Sequence, residues 1–162
     1  MEKSITISNR QKVFRISSRQ LQPIVHWILN DHLQLSEWDL SIAFLGPRQM
    51  ARWNESHLNH EGPADILTYD YSESPLNAEN AGSRKSVNGE LLICPAVAAE
   101  VAPQFGVGWP HETVRYVVHG ILHLLGYDDI DPEDRAVMKR LENNAVNILE
   151  QTFDLGSIDL RP

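Results

Sequence analysis

The stretch His119-Gly120-Ile121-Leu122-His123-Leu124-Leu125-Gly126 constrains this chain more than any other. Together with the residues before it, from about His111 to Leu125, it reads as a helix. Gly126 is placed to end that helix, because glycine takes the left-handed conformation of a helix C-terminus without a Cβ penalty. Residues four apart lie on one face, one turn above the other. His119 and His123 therefore present their rings to a common point. A helix this apolar has to be covered by other elements, so the rest of the chain is expected to pack around it.

The chain has 162 residues, the size of one ordinary domain. Its apolar fraction of 42% is enough for a core, and its charged fraction of 22% makes disorder an unneeded reading. No apolar run approaches the roughly 20 residues of a membrane helix. Met1-Glu2-Lys3-Ser4-Ile5 lacks the basic and apolar regions of a signal peptide, so a cytoplasmic protein with no membrane partner is expected. Cys94 is the single cysteine, which excludes an internal disulfide. Within the apolar run Leu91–Pro95 it is expected to be a buried hydrophobe rather than a nucleophile. A net charge of −8 opposes a general nucleic-acid surface. The charge is uneven, however. Arg10, Lys12, Arg15 and Arg19 cluster near the start, while Asp128, Asp129, Asp131, Glu133 and Asp134 gather near the end of the helix.

Periodicity gives the remaining elements. Lys12–Ile16 alternates and reads as a short strand, after which Ser17 or Ser18 caps a helix carrying Leu21, Ile24, Val25, Ile28, Leu29 and Leu33 on one face. His26 and His32 on that helix are read as structural. Trp38–Phe44 alternates as a strand, followed by a helix from about Pro47 to His57 and a short strand at Ile66–Tyr69. Residues 72–88 read as a mobile surface loop and Glu90–Cys94 as a buried strand. A helix over Ala96–Ala102 and a loop over Pro103–Pro110 lead into the central helix. A last helix runs from about Pro132 to Glu150, with Val137, Leu141, Ala145 and Ile148 on its apolar face. The expected fold is α+β: a single domain, one small mixed sheet packed against helices, with the functional site on the central helix. Residues 1–152 are expected to form that single domain and residues 153–162 a loose tail.

Spacing carries the chemistry. His119, His123, Gly126 and Asp129 fall at the offsets of the metzincin template, in which two helix histidines, a glycine and a third ligand recur. The glycine turn brings the Asp128-Asp129 pair back over the histidine face. Metal ligation by His119, His123 and Asp129 follows, since two histidines and a carboxylate form an accepted zinc set that also suits iron(II). Gly120 stands where a peptidase has its general-base Glu, and it leaves room near the metal. A base must then come from elsewhere; Asp128, Asp65 and Glu90 are candidates. His111, roughly 12 Å from His119 by helix rise, should not share the metal.

The run from His119 to Asp128 resembles the signature of the YbeY family of bacterial ribosomal-RNA maturation endoribonucleases. Asn88–Pro95 resembles the strand before that family's helix, and Asp65–Tyr69 resembles its Thr-Asp-Val-Leu-Ser-Phe stretch, with Ala64 for the Thr. Met138 and Glu142 fall where its last helix has Met and Glu. The resemblance spans about residues 40 to 150. It implies one α+β domain, one zinc-type ion per chain with iron(II) or another divalent transition metal as the alternative, and single-strand-specific RNA cleavage. It further implies 16S rRNA 3′-end maturation, ribosome quality control, and rRNA and the small ribosomal subunit as partners, with no DNA specificity. Asp129 stands for the family's third His, and His57-Leu58 for its Tyr-Arg pair. His57, Arg10, Lys12 and Arg15 are the expected RNA contacts, and His57 or His60 could supply either a metal ligand or a phosphate contact.

Two other functions use the same residues. A metallopeptidase would share the helix motif, but Gly120 removes its base. A non-catalytic metal-binding ribosome-associated factor would tolerate both Leu58 and Asp129.

Overall fold

The computed structural model describes residues 3–58 and 65–161, apart from the side chains of 55–58. Its sheet is built from four strands, β1 (Lys3–Asn9), β2 (Glu37–Phe44), β3 (Ile66–Asp70) and β4 (Ser86–Ile93), in the order β1-β2-β4-β3. β1, β2 and β4 run parallel, and β3 pairs antiparallel with β4. The helices are α1 (Ser18–His26), α2 (Pro47–Leu58), α3 (Pro95–Val101), α4 (Trp109–Leu124) and α5 (Pro132–Thr152). This is the expected α+β arrangement with a mixed sheet.

Period-two alternation sorts the strands into two faces. Trp38, Leu40, Ile42 and Phe44 of β2, with Val87, Leu91 and Ile93 of β4, join the main core under α1, α4 and α5. Ala43, Leu45, Leu67, Leu92 and Cys94 form a smaller core with Met50 of α2. Cys94 is fully buried and burial pushes its thiol pKa up, so it is the inert hydrophobe expected. His26 and His32 also behave as structural residues: their rings pack on Trp38 and Trp27. Among the described residues, no helix is long and apolar enough to cross a membrane.

Several boundaries move. The first strand is Lys3–Asn9 rather than Lys12–Ile16. Ser4–Ser8 alternates isoleucine with serine and threonine as well, and only this segment has a full edge of β2 to pair with. Of the expected strand, Ile16 alone makes a bridge, to Asp159. Ser17 is the cap of α1, accepting from the Gln20 N–H at 3.1 Å, and the helix widens into π-helical turns over Trp27–His32. β4 begins at Ser86, four residues earlier than expected. Residues 72–85 are tied down: the Gly82 N–H donates to the Leu125 carbonyl at 2.9 Å, and Arg84 reaches the Ser74 carbonyl. Nor is the end of the chain loose. A 3-10 turn over Leu155–Ile158 buries both of those residues, and the Leu160 N–H bonds to the Arg15 carbonyl.

α4 packs on β3 and β4, with α3 and α5 beside it. From Glu112 to Gly126 every residue is buried except Arg115, His119 and His123. The stripe left open has the four-residue period of one helix face. Gly120 is part of the buried surface. A Cβ there would meet Ile66 Cδ1 at 2.6 Å and Leu91 Cδ2 at 2.7 Å, so this glycine lets the helix approach the sheet and does not make room at the metal.

Gly126 has φ of +99°, and a Cβ would lie 2.7 Å from Leu76 Cβ and 2.9 Å from the Asn77 carbonyl. Gly126→Ala is expected to destabilise the fold by about 2–3 kcal/mol, from backbone strain and overpacking together. Urea unfolding of the two proteins checks this; equal midpoints would mean that the turn relaxes freely.

Candidate metal centre

Local capping brings the third ligand home. α4 ends in a Schellman turn: the Tyr127 N–H donates to the Leu122 carbonyl at 3.1 Å and the Gly126 N–H to the His123 carbonyl at 3.0 Å. The chain then reverses. Asp128 Oδ1 accepts the N–H of Asp129 at 2.7 Å and of Ile130 at 3.3 Å, which fixes the next bend. Asp131 caps α5, with Pro132 in its first turn. Asp129 is thereby held over His119 and His123.

The three candidate ligands meet. His119 Nε2 and His123 Nε2 are 3.1 Å apart, and Asp129 Oδ2 lies 3.3 Å from the first and 3.5 Å from the second. Neighbouring ligands around a tetrahedral ion with bonds of roughly 2.0–2.1 Å stand roughly 3.3–3.4 Å apart. His119, His123 and Asp129 form the one such group of His, Cys, Asp and Glu among the described residues, and they could hold a metal ion.

The hydrogen bonds behind the rings favour a cation. His119 Nδ1 faces Glu142 Oε1 at 2.7 Å, and His123 Nδ1 faces the Tyr127 carbonyl at 3.0 Å. Both partners only accept, so both Nδ1 atoms carry protons. In neutral rings the two Nε2 lone pairs then point at each other and at a carboxylate oxygen. A cation resolves that repulsion, and outer hydrogen bonds of this kind orient metal-binding imidazoles. The same surroundings favour a proton on His119. Burial by itself would lower the His119 pKa, but the hydrogen bond and charge of Glu142, with Asp129 and Asp65 beyond, raise it. Glu142 responds in kind: burial would raise its carboxyl, yet His119, Arg115 and Lys139 hold it down at about 2.

A cavity of about 1000 Å³ opens beside these groups, and its lining includes Asp65, Arg135, Lys139 and Asn143 together with His119 and Asp129. Asp65, one of the expected bases, thus shares the cavity with His119 and Asp129. Glu90 does not line it; its Oε1 accepts from the Tyr71 hydroxyl. Asp128 shapes the turn. His111 pairs with Glu150, away from the ligands. Arg10, Lys12, Arg15 and Arg19 are exposed in the segment around the start of α1 and do not line the cavity. His60 and the side chains of His57 and Leu58 lie outside the described residues.

Sequence reasoning gave no role to Arg115 or Glu142. Arg115 donates to Glu142 Oε2 and Asn143 Oδ1, both at 2.7 Å. Its signal was its place one turn before His119. The signal of Glu142 was hidden by an error of helix phase. The expected apolar face of α5 ran through Val137, Leu141 and Ile148, whereas the buried line is Met138, Glu142, Ala145, Val146 and Leu149. A count of apolar residues turns the helix so as to leave Glu142 outside.

About one equivalent of divalent metal is expected per wild-type chain, lost in His123→Ala and reduced in Asp129→Ala. Glu142→Gln is expected to bind it about 10–100-fold more weakly. Elemental analysis and competition with a chromogenic chelator measure both. A metal-free wild type that takes up neither zinc nor iron would sink the site.

Glu142 also sets an acid limit. Its carboxyl titrates lower in the fold than the ordinary 4.5, so its ionised form stabilises the native state. That contribution, of the order of 3 kcal/mol, is complete above pH of about 4.5 and fades as pH falls toward 2. In chelator, the stability gap between wild type and Glu142→Gln should shrink from pH 5 to pH 3. A constant gap would assign it to packing instead.

The profile of the family described as Endoribonuclease YbeY matches residues 6–150. A protein of Bifidobacterium adolescentis, named Endoribonuclease YbeY, is 30% identical over 140 residues, covering 86% of this chain and 76% of its own. One of the same name from Beutenbergia cavernae is 30% identical over 139 residues, covering 86% and 92%. The solution structure of TM1509 from Thermotoga maritima has the same fold, with a TM-score of 0.62 at 22% identity over 92% of this chain and 91% of that one. On the profile match and these relatives, the chain belongs to the YbeY endoribonuclease family.

Proposed function

We propose that this protein is a metal-dependent, single-strand-specific endoribonuclease. It acts in the cytoplasm on ribosomal RNA of the small subunit, at the maturation of the 16S rRNA 3′ end and in ribosome quality control. The observation that carries the reading is the triangle of His119 Nε2, His123 Nε2 and Asp129 Oδ2, with both imidazoles locked by their Nδ1 partners. Membership of an endoribonuclease family supports RNA as the substrate.

His119, His123 and Asp129 would hold zinc, with iron(II) as the alternative for a set of two histidines and one carboxylate. When bound, such an ion supplies Lewis acidity toward a phosphodiester and its attacking nucleophile. The chain supplies the rest. Glu142 and the Tyr127 carbonyl keep the two rings aimed. Arg115, committed to Glu142 and Asn143, holds Glu142 in place. Lys139 and Arg135 on α5 face the cavity and bind phosphate oxygens. Gly120 points into the sheet, so no carboxylate arises at the peptidase base position. Asp65, in the same cavity as His119 and Asp129, takes the nucleophile's proton.

Metal-loaded protein is expected to cleave a single-stranded RNA and leave its duplex intact. His123→Ala should lower the rate at least 100-fold, and Asp65→Asn at least tenfold with metal content unchanged. Gel analysis of end-labelled RNA reads these out. If the fully metallated wild type leaves RNA uncut but co-sediments with small subunits, the non-catalytic reading replaces this one.

A further inference from the structure

We propose that the cavity beside the metal ligands holds an unpaired RNA base against Phe105. The proposal rests on the endoribonuclease reading above. α4 gives the cavity its floor. α5 contributes cations near Asp129, while α3 and the 3-10 turn Ala102–Phe105 contribute Val97, Val101 and Phe105. The lining combines charged groups with the apolar Val97, Val101 and Phe105, which suits the phosphate and the base of a nucleotide.

Charge explains why the apolar side matters. Acids outnumber arginines and lysines along the lining, and the whole chain carries −8. A divalent ion at the ligands offsets the local excess without making the cavity basic. Counterion release, the usual source of affinity for a polyanion, is therefore weak here. Stacking on an aromatic ring needs no charge and strengthens binding about tenfold or more per base. Phe105 is 64% exposed, and it sits in the cavity that also holds His119 and Asp129. A lone exposed hydrophobe is an ordinary surface feature; its place in this cavity sets Phe105 apart.

The backbone that carries the ring is fixed. Ala102 anchors the turn with 1% exposure, and the Val107 N–H donates to its carbonyl at 3.2 Å. Gly106 follows at φ of +67°, the left-handed conformation that stops the turn. A ring on a fixed turn loses little freedom on binding. Bases within a duplex are already covered on both faces, so a stacking platform selects single strands.

The test uses metal-loaded protein and a cleavage-resistant phosphorothioate oligoribonucleotide, single-stranded or in a duplex, with binding followed by fluorescence anisotropy at two salt concentrations. Phe105→Ala should bind the single strand about tenfold more weakly at both salts, with duplex binding and metal content unchanged. Phe105→Tyr and Phe105→Trp should restore binding. Wild-type affinity in Phe105→Ala, or a loss that neither aromatic variant restores, overturns the stacking subsite, even while wild-type protein cleaves RNA. Intact RNA affinity with lost co-sedimentation on small subunits overturns it too, in favour of a protein contact. Metal-loaded wild type that neither binds nor cleaves RNA overturns the endoribonuclease reading itself, and the subsite falls with it.

Discussion

Glu142 draws α5 against α4 by accepting from two donors on α4, His119 Nδ1 on one oxygen and Arg115 Nη1 on the other, while Lys139 Nζ of α5 itself adds a third bond to the second oxygen. Removing an ionised carboxylate from water costs several kcal/mol, and only full hydrogen bonding offsets it. With both oxygens used, the buried charge is satisfied. Its wider effect is geometric. A helix with apolar residues on several sides can pack in more than one rotation about its axis. Leu141 and Val137 would serve as core residues if α5 were turned by one position, about 100°. That rotation would strand Arg115 and leave the His119 ring without its anchor. The carboxylate thus selects the rotation, and through it the direction in which His119 points.

What the sequence made legible is mostly local. His119, His123, Gly126 and Asp129 are separated by a single helix turn, a cap and a bend, so spacing alone carries their positions. The alternation of β2 and the burial of Cys94 were likewise readable from neighbouring residues. The first strand was not, because Lys3–Asn9 and Lys12–Ile16 both alternate and the choice between them is made by the edge of β2. The anchoring of the 72–88 segment and of the chain's end depends on distant partners too: Leu125 accepts from Gly82, Ile158 accepts from Ser17, and Arg15 accepts from Leu160.

The site was legible in the same measure. The sequence brought together His119, His123 and Asp129, the group that could hold a metal ion, while the groups that orient the rings were missed, since Glu142 and Arg115 act across the α4–α5 contact. The resemblance did mark Glu142, without a role. Conversely, the basic cluster at Arg10, Lys12 and Arg15 stood out in the sequence but lines no part of the cavity. Charge runs are visible in one dimension; which cleft they face is decided in three.

Asp129 links these points. The aspartate at 129 puts a negative charge against two imidazoles, of which His119 is already backed by the Glu142 carboxylate and His123 by the Tyr127 carbonyl. The ligands therefore call for positive charge, met by a dication or by a proton on His119. Metal and proton compete for one place, so cation binding weakens as the medium becomes acidic. The same acids that favour a cation leave the cavity without a basic surplus for RNA. A site that gathers negative charge to hold its ion must grip a polyanion by other means: a few cations on α5 and contacts that carry no charge. The acidic character of this chain is then compatible with an RNA substrate, provided that shape and stacking do the work that a basic groove does elsewhere.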